Sequence, residues 1–98
     1  MVLVSPNNPT GGIISASTLA QVAEIAQRHN LIVISDELYE KIIFDGAESP
    51  SIAHLPGMQE RTVIINGFSK AYCMTGFSVG YLASPAVPLR RCWNPTIR

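Results

Sequence analysis

Two short runs constrain this chain more than anything else in it. Leu31-Ile32-Val33-Ile34 is four consecutive apolar residues, three of them β-branched, and Thr62-Val63-Ile64-Ile65 repeats the signature. Neither alternates apolar with polar, so neither fits a strand with one wet face. Such runs are strands buried on both faces, the mark of a parallel sheet inside an α/β domain. Leu3-Val4-Ser5 is the end of another short apolar strand, and Val79-Gly80-Tyr81-Leu82 is a fourth candidate.

Between the first and second strands lies one clear helix. Ser15 or Ser17 can cap it, and Leu19, Val22, Ala23 and Ala26 fall at i, i+3, i+4 and i+7 on one face. Arg28 and His29 occupy the last turn, where positive charge suits the helix dipole, and Asn30 is a natural stop. Ile42-Ile43-Phe44 reads as a short extended piece. Residues 45–60 are loop-like, with one helical turn around Ile52 to Leu55. Strand, helix, strand, crossover, strand predicts parallel pairing, with strands near residues 2–5, 31–35, 62–66 and 79–83.

Composition narrows the function. The 98 residues carry seven basic and seven acidic side chains, so the chain lacks the basic excess of a nucleic-acid binder. At 47% hydrophobic it is too apolar for disorder. No apolar run reaches the roughly 18 residues that span a bilayer, and Met1-Val2-Leu3-Val4 has no basic flank and meets Pro6 at once, unlike a signal peptide. Cys73 and Cys92 form neither a disulfide framework nor a metal quartet, which fits a reducing cytoplasm. Charged residues make up 14%, against a typical ~25%, as expected of the interior of a larger domain.

In open parallel sheets, ligands bind beyond the carboxyl ends of the strands. That rule selects Asn8 after the first strand, Asp36 and Glu37 after the second, and Ser69 and Lys70 after the third, with Tyr39 just past Asp36. An amide, a carboxylate, an amine and a phenol should therefore share one end of the sheet. This set suits pyridoxal 5′-phosphate: the amine bonds the cofactor aldehyde, and the carboxylate holds the pyridine nitrogen protonated so that the ring accepts electrons.

Four segments carry a family resemblance: Ser5-Pro6-Asn7-Asn8-Pro9-Thr10-Gly11, Ile34-Ser35-Asp36-Glu37-Leu38-Tyr39, Asn66-Gly67-Phe68-Ser69-Lys70, and Met74-Thr75-Gly76-Phe77-Ser78-Val79-Gly80-Tyr81. In order and spacing they resemble the class I/II, fold-type I aminotransferases. The resemblance covers roughly residues 1–84 and implies part of the three-layer, cofactor-binding large domain, with a mostly parallel sheet and a final antiparallel strand. Residues 85–98 read as an irregular tail. It further implies that Lys70 is the Schiff-base lysine and Asp36 the pyridinium partner, while Asn8 and Tyr39 bond the ring hydroxyl oxygen. Ser69 and Ser78 join them as cofactor-binding residues. Amino acids and 2-oxo acids would be the substrates, and full-length relatives would be homodimers.

The sequence also departs from that pattern. Ser78 stands where the resemblance implies an arginine on the cofactor phosphate, and a hydroxyl cannot supply a bidentate charged fork. Gly67 lacks a hydroxyl that some members use for the same group. Segments that hold the ring and the substrate carboxylate in the family have no counterpart in these 98 residues. A catalytically silent remnant, or a pyridoxal-phosphate lyase of the same lineage, is the alternative reading. Gly76-Phe77-Ser78-Val79-Gly80 also matches the G-x-S-x-G elbow of serine hydrolases. That motif needs a strand before it and a histidine downstream, whereas His29 and His54 both lie upstream.

Overall fold

The computed structural model of the chain describes residues 1–86. Four strands, β1 (Val2–Val4), β2 (Val33–Asp36), β3 (Thr62–Gly67) and β4 (Gly80–Ala83), form one sheet in chain order. β1–β2 and β2–β3 are parallel, and β3–β4 is antiparallel. This is the expected α/β topology, including the antiparallel last strand. The expected tail from Pro85 onward lies, beyond residue 86, outside the described residues.

The α-helix α1 (Ala16–Arg28) follows local chemistry at both ends. Of the two candidate serines, Ser15 is the cap: its side chain accepts from Thr18 N at 3.2 Å. At the other end Asn30 takes a left-handed φ of 49°. Leu31 N then donates to Ala26 O at 2.8 Å and Asn30 N to Gln27 O at 3.2 Å, which satisfies two orphan carbonyls in a Schellman turn. Leu31 is consumed by this turn, so β2 begins at Val33 rather than at the start of the apolar run.

α1 lays Leu19, Ala23 and Ala26 onto the sheet against Val33, with Val22 and Leu31 packed alongside. Ile52 and Met58, both essentially inaccessible, complete this core from the segment between β2 and β3. The expected helical turn there is a 3₁₀ turn at Ile52–His54. Ile42-Ile43-Phe44, expected to be extended, joins no strand. Asp45 and Gly46 both take positive φ and Ala47 N donates to Phe44 O, so a tight turn follows at once with no partner strand on its far side. Phe44 is left 75% exposed.

Strand register divides the sheet into two unlike faces. Val33 and Ser35 lie on the α1 side and are buried. Val2, Ile34 and Val63 share a row on the opposite face, as do Val4, Asp36, Ile65 and Leu82. Burial on that face is uneven: Val63 is 7% exposed, whereas Val2 is 65% and Leu82 47% exposed. Among the described residues no helix is long and apolar enough to cross a membrane.

Exposed apolar residues on a sheet face and open edge strands favour association. The 98-residue polypeptide, purified alone, is expected to sediment as species heavier than a monomer. The double substitution Val2→Thr, Leu82→Thr should shift it toward the monomer. A monodisperse monomer of the unsubstituted chain would contradict this account of the face.

Candidate active site

Parallel pairing brings the carboxyl ends of β1, β2 and β3 to the same edge of the sheet. After β1 the chain closes a tight loop. Asn7 N donates to Gly12 O, Gly11 N donates to Asn7 O at 2.7 Å, and the Thr10 hydroxyl donates to Asn7 Oδ1 at 2.9 Å. Gly11, at φ 71°, permits that closure. With Asn7 occupied inside the loop, the next residue, Asn8, reaches across to β2's exit. Its Nδ2 donates to the Tyr39 hydroxyl at 3.0 Å.

β2 ends in Asp36, whose carbonyl accepts from Ser5 N at 3.1 Å and so ties the β1 loop to the β2 exit. The Asp36 carboxylate accepts from Leu38 N at 3.2 Å, an Asx-type turn that orients it. Short turns follow, with Glu40 N donating to Glu37 O and Ile42 N to Tyr39 O, and they present Tyr39 beside Asn8. From the β3 exit, Lys70 places its Nζ 5.9 Å from the centroid of the Tyr39 ring. This is within the range of a cation–π contact.

Asn8, Tyr39 and Lys70, chosen by strand-end position alone, thus form one contact group. Asp36 sits three residues before Tyr39, on the sheet face that α1 leaves open. The two lysines differ in their surroundings. Lys41 pairs at 3.7 Å with its neighbour Glu40 on the surface, while Lys70 has no carboxylate within ion-pair distance among the described residues.

Ser69 and Ser78 share a cavity of about 710 Å³, walled by Leu38, Ile65, Gly67 and Leu82. Among the described residues its lining carries hydroxyls, the Asn66 amide and backbone, and no cation. Ser78 follows a 3₁₀ turn at Thr75–Phe77, at a left-handed φ of 51°, with its hydroxyl donating to Thr75 O at 3.5 Å. β4 comes after Ser78, not before it, so the strand–nucleophile–helix order of a hydrolase elbow is absent. His29 and His54 are both exposed.

Two residues at this edge, Gly67 and Asn66, escaped the strand-end reading, and a third, Glu37, was selected by it without a partner. Gly67 lets β4 approach closely: a Cβ there would sit 3.1 Å from Val79 O and 3.3 Å from Gly80 Cα. Asn66, 5% exposed, accepts from Gly67 N at 2.7 Å. Glu37 is buried and bonded to two hydroxyls. Gly67 and Asn66 stand in sequence as a strand-terminal Asn-Gly, which signals a turn but not a close crossing. Glu37 had a strand-end position but no visible partner.

With this geometry in hand, comparison with known proteins is specific. The profile of the family described as "Aminotransferase class I and II" matches residues 1–98. A bifunctional aspartate aminotransferase and glutamate/aspartate-prephenate aminotransferase of Petunia hybrida is 50% identical over 93 residues, which are 94% of this chain and 19% of that protein. The aromatic-amino-acid aminotransferase 2 of Thermococcus litoralis is 46% identical, over 87% of this chain and 22% of its own length. Among solved structures, an aromatic aminotransferase from Pyrococcus horikoshii superposes with a TM-score of 0.87 at 47% identity, over 92% of this chain and 24% of that one. The chain belongs to the aminotransferase class I and II family, and its fold is part of the fold-type I architecture. It spans about a fifth of the length of the curated relatives it matches.

The Gly67 contact can be tested directly. Gly67→Ala should push β4 from β3 and destabilise the chain by about 1–3 kcal/mol, the usual cost of overpacking. Urea unfolding followed by circular dichroism measures this, and an unchanged midpoint would show that the close crossing is not required.

Proposed function

We propose that this chain is the cofactor-binding segment of a pyridoxal-phosphate-dependent aminotransferase, which moves an amino group between an amino acid and a 2-oxo acid. The contact group of Asn8, Tyr39 and Lys70 at the β2 exit carries the reading. Its chemistry fits the pyridoxal ring. Lys70 supplies the only amine in the group, Tyr39 and Asn8 a phenol and an amide already bonded to each other, and Asp36 a carboxylate oriented by a backbone N–H.

When bound, the cofactor supplies an aldehyde for covalent attachment and a ring that accepts electrons from the substrate carbon. The remaining work falls to side chains. Lys70 Nζ would hold the cofactor through its aldehyde, and as a free amine would be the group that carries a proton at the reacting carbon. Asp36 keeps the ring nitrogen protonated by offering it an anionic acceptor. Tyr39, positioned by Asn8, donates toward the ring oxygen and steadies its charge. Ser69 and Ser78 offer neutral hydroxyl donors to the phosphate from the wall of their shared cavity.

The donor amino acid is drawn from the acidic or aromatic class that the names of the Petunia and Thermococcus relatives carry. Cys73, an exposed free thiol, suits a reducing compartment such as the cytoplasm. The wall around Ser69 and Ser78, where the described residues place no cation, favours one second reading, a chain that keeps the fold and ring contacts but holds the phosphate weakly and turns over no substrate.

Borohydride reduction in the presence of pyridoxal 5′-phosphate, followed by peptide mapping, tests the assignment. The label is expected on Lys70 and should vanish in Lys70→Ala. A label on Lys41, or equal labelling of both lysines, would overturn it.

A further inference from the structure

Glu37 takes no part in the chemistry assigned above, yet it is among the most enclosed polar residues of the chain. It is 8% exposed, and both neighbours of its carboxylate are hydroxyls aimed at one oxygen. Ser35 Oγ donates to Glu37 Oε1 at 2.9 Å, and Ser51 Oγ donates to the same atom at 2.7 Å. Hydrogen bonds to an ionised acceptor are the strong kind, and an enclosed carboxylate stripped of them would be costly. This carboxylate therefore holds whatever carries its donors.

The two donors lie on different parts of the chain. Ser35 is in β2, 5% exposed on the α1 side. Ser51 caps the 3₁₀ turn whose first residue, Ile52, is sealed in the core. Glu37 thus pins the β2 exit to a core-anchored loop 14 residues further on. Its backbone is held as well, since Glu37 N donates to Ile65 O at 2.9 Å and extends the β2–β3 pairing by one step.

Asp36 stands between Ser35 and Glu37. Alternation sends its side chain to the opposite face from theirs, where among the described residues the Leu38 N–H bond alone orients it. We infer that Glu37 is a positioning residue: by clamping β2's exit to Ser51 on one face of the sheet, it fixes Asp36 on the other. The placement of Asp36 is read from the structure alone; its consequence for the cofactor rests on the function proposed above.

Amide hydrogen exchange of the full 98-residue chain provides the test, comparing Glu37→Leu with Glu37→Gln. Glutamine keeps a carbonyl oxygen able to accept both hydroxyls; leucine keeps the bulk and removes the acceptor. In Glu37→Leu, the amides of Leu38 and Ser5, which bond Asp36, should exchange about tenfold faster or more, while those of Ile34 and Ile64 in the strand ladder hold steady. Glu37→Gln should stay within about threefold of the parent. Where Glu37→Leu does not fold, Ser51→Ala, which deletes one of the two bonds, should show the same pattern at smaller amplitude. Uniform acceleration across the sheet, or no change at Leu38 and Ser5, would overturn the inference.

Titration with pyridoxal 5′-phosphate separates this idea from the functional reading. Cofactor binding should weaken about tenfold in Glu37→Leu and be restored in Glu37→Gln, as expected for lost preorganisation. Parent-like binding by Glu37→Leu with loosened Leu38 and Ser5 amides would overturn the consequence for the cofactor while upholding the clamp on Asp36. Failure of the parent chain to bind would sink the functional reading, while the exchange pattern would still decide whether Glu37 holds Asp36.

Discussion

Parallel hydrogen bonding among β1, β2 and β3 is the constraint on which the rest depends. Each of these strands runs from the same edge of the sheet to the same edge, so whatever follows each strand emerges beside its neighbours. Asn8, Asp36 and Lys70 are far apart in sequence and come from three separate exits. The pairing continues past the strands themselves, with Ser5 N on Asp36 O and Glu37 N on Ile65 O. These two bonds lock the exits to one another at the points where the chemistry-bearing side chains begin. Without the ladder, the Asn8–Tyr39 bond and the Lys70–Tyr39 contact would have no common frame.

Much of this was legible in the sequence because the signals were local. Unbroken β-branched runs identify buried strands, Ser15 and Asn30 bracket the helix, and strand-end position selects Asn8, Asp36, Tyr39 and Lys70. What stayed hidden depends on distant partners. Met58 carries no periodic signal, yet it is wholly buried, because the crossover folds over the end of α1 and is held by Gln27 Nε2 donating to Pro56 O at 2.9 Å. Ile42-Ile43-Phe44 has strand composition, but a strand needs a ladder partner and none stands beside it. Glu37 resembles an ordinary strand-end carboxylate until Ser51 folds back onto it. The antiparallel direction of β4 follows from the family resemblance and not from composition, since Val79 to Leu82 would suit either direction.

The two faces of the sheet serve different ends. On one, α1, Ile52 and Met58 exclude water and Glu37 secures the β2 exit. On the other lie Asp36 and apolar residues of which Val2 and Leu82 are exposed. A site of this kind gains precision from the closed face and accessibility from the open one, and the same openness leaves Val2 and Leu82 in water. Exposure of these residues in a chain that matches about a fifth of its relatives' length fits their interior composition, with few charges and long β-branched runs.

The central claim is that the three strand exits converge on a single pyridoxal ring. A crystal structure of the chain grown with pyridoxal 5′-phosphate tests it most directly. The account predicts continuous density from Lys70 Nζ to the cofactor, with the pyridine nitrogen about 3 Å from the Asp36 carboxylate, a hydrogen-bonding distance, and the ring oxygen facing Tyr39. A cofactor seated away from Asp36, or joined to Lys41, would contradict it.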